Sequence, residues 1–200
     1  MTLAPGPDGR LRCSWCLADA GYIAYHDAEW GLPVTGERDL FEMLTLESFQ
    51  SGLSWHTILR KRDGFRRAFA GFDTARIAGF GGEDVERLLT DASIVRHRGK
   101  IEAAIHNARQ AEALYREGGT LAELLWRFAP AAGGPSDGPG PSPEATALSK
   151  ELRRRGWKFV GPTTVHAFMQ AAGMVNDHDP GCAFHGATAR AQAAHRADGN

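Results

Sequence analysis

Residues with metal-binding side chains lie at both ends of the chain. His178 and Cys182 stand four positions apart in the segment VNDHDPGC, and this spacing can place an imidazole and a thiolate on the same side of a turn, as in half of a tetrahedral zinc site. The other half must come from elsewhere in the chain. The candidates near the N-terminus are Cys13, Cys16 and His26. Such a site would tie the two ends of the chain together.

Spacing alone leaves three interpretations of these residues open. A zinc site is favoured, and it would be structural, because four protein ligands leave no coordination position for a catalytic water. The first alternative is a set of buried thiols with solvent-exposed histidines, and the second is a redox-active C-x-x-C pair at Cys13 and Cys16. A structural disulfide framework is not expected from 3 cysteines in a reducing compartment.

A carboxylate lies on the apolar face of a predicted helix. Glu47 follows Leu40 by seven positions and Leu44 by three, so it projects from the stripe of apolar residues rather than from the wet face. Burial of a carboxylate costs free energy unless its charge is compensated. One hypothesis is that Glu47 caps a helix or pairs with a basic residue. The other is that it forms the floor of a ligand pocket.

Aromatic residues near Glu47 in the sequence could form the walls of such a pocket. They are Tyr22, Tyr25, Trp30 and Trp55. Aromatic side chains are more often part of a core, but several of them beside one buried acid suit a flat, polar or cationic ring, which they would bind by stacking and charge.

The segment LRRRGWKFVGPTTVHAFMQAAG has a helix-hairpin-helix pattern. Arg153, Arg154 and Arg155 give the first helix a basic end, a short hairpin contains Gly161, and Thr163 opens the second helix. Exposed backbone N–H groups at such a hairpin can bind phosphate, and nearby basic residues add charge. This pattern indicates a contact with nucleic acid.

Other residues bear on the nucleic-acid hypothesis. Phe159 stands where a G-x-G hairpin would have its first glycine, so an ordinary αα-hairpin with a solvated basic end remains the alternative. The string RHRGK is a second basic cluster and offers another contact; it contains Arg96, His97, Arg98 and Lys100. The net charge of the chain is -1, so any basic surface must be local.

Helical patterns account for most of the chain and must position these residues. Apolar spacing and end signals predict helices throughout, and no run of alternating β-branched residues predicts a strand. We therefore predict an all-α fold with a loop-like N-terminal segment. The predicted helices are one that Thr35 caps and that carries Glu47, Arg60–Phe69, one opened by Gly82, one from RHRGK to Gly118, Leu121–Phe128, Ala145–Arg155 and Thr163–Ala172.

Length and composition indicate one domain. The 200 residues, 42% of them hydrophobic, can bury one sizeable core, divided into two lobes. We assign residues 1–186 to it, with an exposed Pro/Gly-rich loop at 131–143 and a frayed tail at 187–200. Neither an apolar stretch of about 18 residues nor a secretory signal pattern occurs, so we expect a cytoplasmic protein without membrane contact.

Five longer strings resemble those of the DNA-3-methyladenine glycosylase I family, the constitutive bacterial type within the helix-hairpin-helix superfamily. They are YIAYHDAEWG, LFEMLTLESFQSGLSW, DASIVRHRGKIEAAIHNA, ALSKELRRRGWKFVG and FMQAAGMVNDH. The resemblance extends in order from Cys13 to about Cys182, too far for chance. It implies an all-α helix-hairpin-helix glycosylase fold of two helical lobes, with a zinc site joining the N- and C-terminal segments.

The resemblance assigns roles to individual residues. The family's ligands for one structural Zn²⁺ correspond to Cys13, His26, His178 and Cys182, which leaves Cys16 outside the site. The base-recognition carboxylate, placed at the catalytic centre, corresponds to Glu47. The substrate-binding aromatic residues correspond to Tyr25 and Trp55, which stack on the base, and to Trp30. The DNA-binding residues of the hairpin are Lys158, Gly161 and Thr163.

The activity that the resemblance implies is hydrolytic excision of 3-methyladenine from alkylated double-stranded DNA, with the free base as product. Alkylation at N3 makes adenine a cation and weakens its glycosidic bond, so the enzyme must extrude the base and favour its departure. The resemblance suggests no dedicated nucleophile-activating aspartate, with Asp177 as a minor alternative. No lysine is assigned as a Schiff-base nucleophile, so we expect a monofunctional, monomeric enzyme that leaves the strand uncut.

Two other classes of protein would share some of these features. A non-enzymatic, zinc-stabilised DNA-binding module would share the hairpin, the basic residues and the metal, but it would not need Glu47 among aromatic residues. A zinc-dependent deaminase or hydrolase would need an open metal position and a glutamate beside a zinc-binding histidine, and no H-x-E precedes a C-x-x-C in the sequence.

Overall fold

Helices and one short β-hairpin make up the part of the chain that the computed structural model describes, residues 2–131 and 140–198. The helices are α1 (Ala20–Ala28), α2 (Glu37–Gln50), α3 (Trp55–Leu59), α4 (Arg62–Ala68), α5 (Thr74–Ala78), α6 (Gly82–Thr90), α7 (Arg98–Arg116), α8 (Leu121–Trp126), α9 (Pro143–Arg154), α10 (Pro162–Ala171) and α11 (His185–Asp198). The all-α prediction is confirmed for the body of the fold.

The N-terminal segment differs from the loop that we predicted. Strands β1 (Leu3–Pro5) and β2 (Leu11–Cys13) pair antiparallel, with Leu3 opposite Cys13. A short 3-10 turn, Ser14–Cys16, follows directly. The hairpin therefore fixes the backbone that carries Cys13, and three-residue strands are too short to show an alternating pattern in the sequence.

Several helix ends differ from the prediction by one to five residues, for local reasons. Gly36, not Thr35, is the N-cap of α2. Helix α9 begins at Pro143 because the Ser142 side chain accepts a hydrogen bond from Ala145 N and proline suits the first helical turn. The Pro/Gly-rich loop that we placed at 131–143 therefore ends at 142, and its residues 132–139 lie outside the described residues.

Helix α2 runs through the core of the protein. It packs against α7, α8 and α10, and most of its residues from Leu40 to Phe49 are buried. Phe41 and Phe49 of α2 form a fully buried aromatic cluster with Phe65, Phe69 and Phe72. Because α2 is surrounded, a polar side chain on its inner faces lies either in the core or in a cavity.

The tail that we predicted to fray is helical, and that prediction is wrong for the described residues. Helix α11 extends from His185 to Asp198, and Thr188 and Gln192 are buried. The Gln192 amide donates hydrogen bonds to the carbonyl oxygens of Gly31 and Val175, at 2.8 and 2.9 Å. Alanine favours helix formation and permits close packing, so this helix docks without large apolar residues, and the domain does not end at 186.

Membrane insertion has no support from the helices. Within residues 2–131 and 140–198, each helix is too short or too polar to span a bilayer.

Candidate metal centre and active site

Four buried side chains from distant parts of the chain converge at one point: Cys13, His26, His178 and Cys182. Their ligand atoms all lie within 4.8 Å of one another. His26 Nε2 is 3.1 Å from His178 Nδ1, and Cys182 Sγ is 3.7 Å from each of these nitrogens. Cys13 Sγ is 4.0 Å from His178 Nδ1. This set could hold a metal ion.

The donor atoms fit a tetrahedral metal of zinc's size. With Zn–S near 2.3 Å and Zn–N near 2.05 Å, the edges of the tetrahedron are about 3.3–3.8 Å, and the separations of His26, His178 and Cys182 fall close to this range. Burial lowers the pKa of His26, and it lowers the pKa of His178 to about 4. Both imidazoles are therefore neutral near pH 7, the form that binds metal.

The second nitrogen of each histidine is held by a hydrogen-bond acceptor. His26 Nδ1 lies 2.8 Å from Asp27 Oδ1, and His178 Nε2 lies 3.2 Å from the carbonyl oxygen of Trp30. Such outer contacts orient metal-binding histidines and select the tautomer. Asp27 is itself held by the buried guanidinium of Arg12, with contacts of 2.8 to 3.1 Å. The two imidazoles are thus pre-oriented as ligands.

Cys16 lies outside the group of ligands, as the resemblance implied. It is fully buried, and burial raises the pKa of its thiol to about 11. A thiol in that state is neutral near pH 7 and weakly nucleophilic. The grouping of Cys13 with His26, His178 and Cys182 therefore favours the metal-site interpretation over a redox pair of Cys13 with Cys16.

Glu47 lies on the floor of a cavity of about 180 Å³. Its side chain is buried, and burial raises the pKa of the carboxyl group to about 8. Within the described part of the chain, Glu47 Oε2 has no hydrogen-bond partner. The hypothesis that Glu47 caps a helix or pairs with a basic residue therefore has no support, and an uncompensated buried carboxyl group favours the pocket hypothesis.

Aromatic side chains form the walls of this cavity. The predicted residues Tyr25, Trp30 and Trp55 all line it, as do Tyr22, Trp15, Gln50, Ala167 and Gln170. The rings of Tyr25 and Trp55 are 5.5 Å apart, and those of Trp15 and Trp30 are 4.9 Å apart. The buried indole nitrogen of Trp55 also has no partner among the described residues. The cavity thus offers flat surfaces and two unused polar atoms to a ligand.

Sequence reasoning missed four of the lining residues. Trp15 sits in the 3-10 turn between two cysteines, and its proximity to Cys13 is the signal that could have suggested it. Gln50 lies one helical turn beyond Glu47 on α2, so the same stripe of α2 points to it. Ala167 and Gln170 come from α10, more than 100 positions away, and no local signal connects them to the cavity.

The metal group and the cavity share a wall. The ring of Trp30 lines the cavity, while its carbonyl oxygen accepts the hydrogen bond from His178. Tyr25 and His26 are neighbours on α1 and face the cavity and the metal group respectively. A metal bound here would therefore fix the backbone that shapes the cavity.

Helices α9 and α10 form the predicted hairpin, closed by the residues between Arg154 and Pro162. Gly161 is the N-cap of α10 with no side-chain cap, so amides of the first turn, including that of exposed Thr163, are free to bind an anion. Lys158 is exposed, and Arg153 Nη2 would lie only 3.4 Å from a Cβ added to Gly161. The hairpin therefore combines open amides with two cations.

One of the basic residues is not available to DNA as we expected. Arg154 and Arg155 both form ion pairs with Glu151, and the side chain of Arg154 is 69% exposed. Lys100, part of the RHRGK cluster, is buried, and its ammonium group donates hydrogen bonds to the carbonyl oxygens of Phe49 and Ser51. Lys100 thus caps the C-terminal end of α2, and the prediction of a DNA contact is wrong for it.

The fold and the acid-floored cavity define a DNA glycosylase. A solved structure of 3-methyladenine DNA glycosylase I is 49% identical, covers 86% of this chain and 98% of its own, and has a TM-score of 0.79. A second solved structure concerns 3-methyladenine recognition by the Staphylococcus aureus enzyme. It is 34% identical, covers 87% of this chain and 96% of its own, and has a TM-score of 0.82.

Sequence comparison identifies the family. DNA-3-methyladenine glycosylase 1 of Escherichia coli (strain K12) is 48% identical over 177 residues, which are 86% of this chain and 95% of that protein. Residues 15–185 match the methyladenine glycosylase family. The chain belongs to this family.

Proposed function

We propose that this protein is a DNA repair glycosylase that flips 3-methyladenine out of alkylated double-stranded DNA and hydrolyses its glycosidic bond. The observation that carries the proposal is Glu47, a buried carboxyl group with an unpartnered oxygen on the floor of an aromatic cavity. Relatives that share the family are named for activity on 3-methyladenine. A buried carboxyl group is stable when it is either neutral or paired with a positive charge. A cationic base would supply that charge.

Charge explains how the cavity would select its substrate. Adenine methylated at N3 within DNA is a cation, whereas unmodified adenine is neutral. Because burial raises the pKa of Glu47 to about 8, the empty cavity holds a mostly protonated carboxyl group near pH 7. A cationic base favours the ionised carboxylate, so its entry releases the proton to solvent. Unmodified adenine gains no such attraction.

Stacking would hold the flipped base in place. The rings of Tyr25, Trp30 and Trp55 line the cavity, and cation–π contacts with indole rings add to the attraction for a positively charged base. Burial raises the pKa of the Tyr25 hydroxyl well above its usual range, so this group stays protonated and can donate a hydrogen bond to the base edge.

Bond cleavage would rely on the substrate's own leaving group. A methylated purine cation departs more easily than adenine, so binding and desolvation supply most of the selectivity. Asp177, the minor alternative for activating water, accepts a hydrogen bond of 2.5 Å from Gln170 and does not line the cavity. No lysine belongs to the described lining, which supports monofunctional hydrolysis without strand cleavage.

The hairpin would grip the DNA backbone. The open amides at the start of α10, including that of Thr163, and the cationic side chain of Lys158 suit phosphate groups. Gly161 allows a close approach because it has no side chain. These contacts carry no sequence information, as a repair enzyme that searches the whole genome requires.

Zinc is the metal that we propose for the Cys13, His26, His178 and Cys182 group. A Cys₂His₂ donor set suits Zn²⁺, and four protein ligands give it a structural role. Zinc-bound thiolates require reduced cysteines, and we expect a cytoplasmic location, where cysteines stay reduced. We also expect the enzyme to act as a monomer.

One assay tests the proposed activity directly. Purified protein incubated with methylated duplex DNA should release 3-methyladenine, identified by chromatography, and leave abasic sites without strand breaks. A non-enzymatic DNA-binding module would bind the duplex and release no base. A deaminase would leave the base attached to the sugar and change its mass. Either outcome would overturn the proposal.

A further inference from the structure

An exposed aromatic side chain stands at the tip of the α9–α10 hairpin. Phe159 is 39% exposed, one of three large apolar side chains exposed to this degree among the described residues. Nearby apolar residues are buried instead: only 4% of Trp157 and 1% of Val160 is exposed. The hairpin thus turns Phe159 outwards although the core receives the apolar residues on both sides of it.

The backbone of Phe159 is in the left-handed region, with φ of 56°. This conformation favours glycine, and a residue with a large side chain adopts it only when the surroundings impose it. The surroundings do so here. Asn107 accepts a hydrogen bond from Lys158 N and donates one to Lys158 O, and the Ser149 hydroxyl donates to Val160 O. The two residues that flank Phe159 are therefore each held at the backbone by a side chain of α7 or α9.

Packing within the protein accounts for only part of the Phe159 side chain. Its ring makes an edge contact with exposed His97, with the ring centres 6.4 Å apart, and its tip lies near Gly99, while 39% of the residue stays exposed. Glycine would relieve the left-handed strain but would lose this partial burial. A large apolar side chain that is strained and exposed in the unbound protein indicates a contact made with something else.

The surroundings of Phe159 match a nucleic-acid backbone. Exposed Lys158 precedes it, the ring of exposed His97 contacts it, and the open amides of α10 follow it. Arg96, which precedes His97 in the chain, is also exposed. Along a DNA strand, charged phosphates alternate with apolar sugar faces. A strip that alternates cations and open amides with one aromatic ring is complementary to that repeat.

We infer that Phe159 is a DNA-binding residue whose ring packs on a deoxyribose between phosphates held by the hairpin. The inference rests on the proposed function, because it names a contact made by the same DNA-binding hairpin. Phe159 would make the apolar contact with the DNA backbone, and the α10 amides and Lys158 would make the polar contacts.

The test compares the effect of one substitution on stability with its effect on binding. Phe159→Gly relieves the left-handed strain but loses the partial packing of the ring, so its melting temperature should stay close to that of the parent. Its affinity for undamaged duplex DNA should nevertheless fall about tenfold, because the apolar contact is lost. The slope of log affinity against log salt should stay unchanged, since no cation is removed, whereas Lys158→Ala should reduce that slope by about one.

Matched controls separate the contact from the strain. Ala70→Gly relieves a left-handed residue, φ 51°, outside the hairpin, so it should leave duplex affinity at the parent value. Phe159→Asn, a residue that tolerates the left-handed region, should bind as weakly as Phe159→Gly. If either folded Phe159 variant binds duplex DNA as tightly as the parent does, the inference about Phe159 is overturned and the proposed function is not affected. A parent that releases no base and binds no duplex overturns the proposed function as well.

Discussion

His26 Nε2 lies 3.1 Å from His178 Nδ1, although 152 positions separate the two residues. Two neutral imidazoles at this separation, with Cys13 and Cys182 beside them, bring together the donor atoms of a single tetrahedral ion. The site therefore joins α1 and the β2 strand to the segment before α11. A metal ion bound there would hold these segments, and with them the walls of the cavity, in place.

The first prediction concerns this metal. Elemental analysis should find one zinc per chain, and Cys182→Ser should lose it and unfold at a lower temperature, because structural zinc contributes directly to folding. Cys16→Ser is the matched control. It removes an equally buried thiol outside the ligand group and should keep the metal. Absence of stoichiometric zinc in the parent would refute the site.

The second prediction concerns the docking of α11. Gln192→Ala leaves the buried carbonyl groups of Gly31 and Val175 without their donor, which costs about 1–3 kcal/mol. At this chain length the melting temperature should fall by about 2–4 °C for each kcal/mol. Arg190→Ala, exposed on the same helix, should leave it unchanged. Equal melting temperatures for the two variants would show that the tail contributes nothing.

The predicted residues that the structure brings together are those whose chemistry is costly to bury. Glu47 was identified because a carboxylate on an apolar helix face requires compensation, and His178 and Cys182 because of their types and spacing. The family resemblance, not the spacing, selected Cys13 and His26 as their partners. Phe159 was noticed because glycine was expected there, and its φ of 56° gives the reason. Each of these signals resides in a few neighbouring residues.

The features that sequence reasoning missed depend on partners far along the chain. The pattern of α11 offers only alanines and polar residues, and its stability depends on Gln192 reaching Gly31. The basic string RHRGK predicts a solvent-exposed Lys100. Lys100 is buried instead, because its ammonium group donates hydrogen bonds to carbonyl oxygens at the C-terminal end of α2. Tertiary contacts of this kind have no local period that a pattern can detect.

The third prediction concerns Gly161. Its φ of −64° suits any residue, and an added Cβ would meet only the flexible end of Arg153, at 3.4 Å, so Gly161→Val should fold normally. The larger side chain should block the close approach of a phosphate. Duplex affinity should fall to a similar extent for all sequences, damaged or undamaged. Fluorescence anisotropy on several duplexes measures this, and unchanged affinity would exclude the hairpin as the grip.

The fourth prediction concerns base recognition by Glu47. Glu47→Gln keeps the shape of the side chain but cannot ionise when a cationic base binds, so fold and zinc content should be unchanged. Binding of 3-methyladenine and excision should weaken by one charge-assisted hydrogen bond, roughly 1.5–3 kcal/mol. Isothermal titration with the free base and single-turnover excision measure the two effects. A variant that binds and excises like the parent would make Glu47 a structural acid.

The fifth prediction concerns the part of the pH dependence of stability that Glu47 contributes. Burial raises the pKa of its carboxyl group to about 8 in the folded protein, whereas an unfolded glutamate has a pKa of about 4.3. Between these values the folded state holds a proton that the unfolded state has lost, so the contribution of Glu47 to the free energy of unfolding should fall by about 1.4 kcal/mol for each pH unit.

The comparison that isolates this effect is between the parent and Glu47→Gln. The stabilising contribution of the protonated carboxyl group is complete below about pH 4.3 and is lost as the pH rises through the folded pKa. The parent should therefore lose stability relative to the variant from pH 5 to pH 8, with little further change above that. Urea unfolding of both proteins at each pH measures the difference, and pH effects of the metal ligands cancel because both proteins share them. A difference that stays constant from pH 5 to pH 8 would mean that Glu47 is ionised in the empty cavity and that its charge is compensated there.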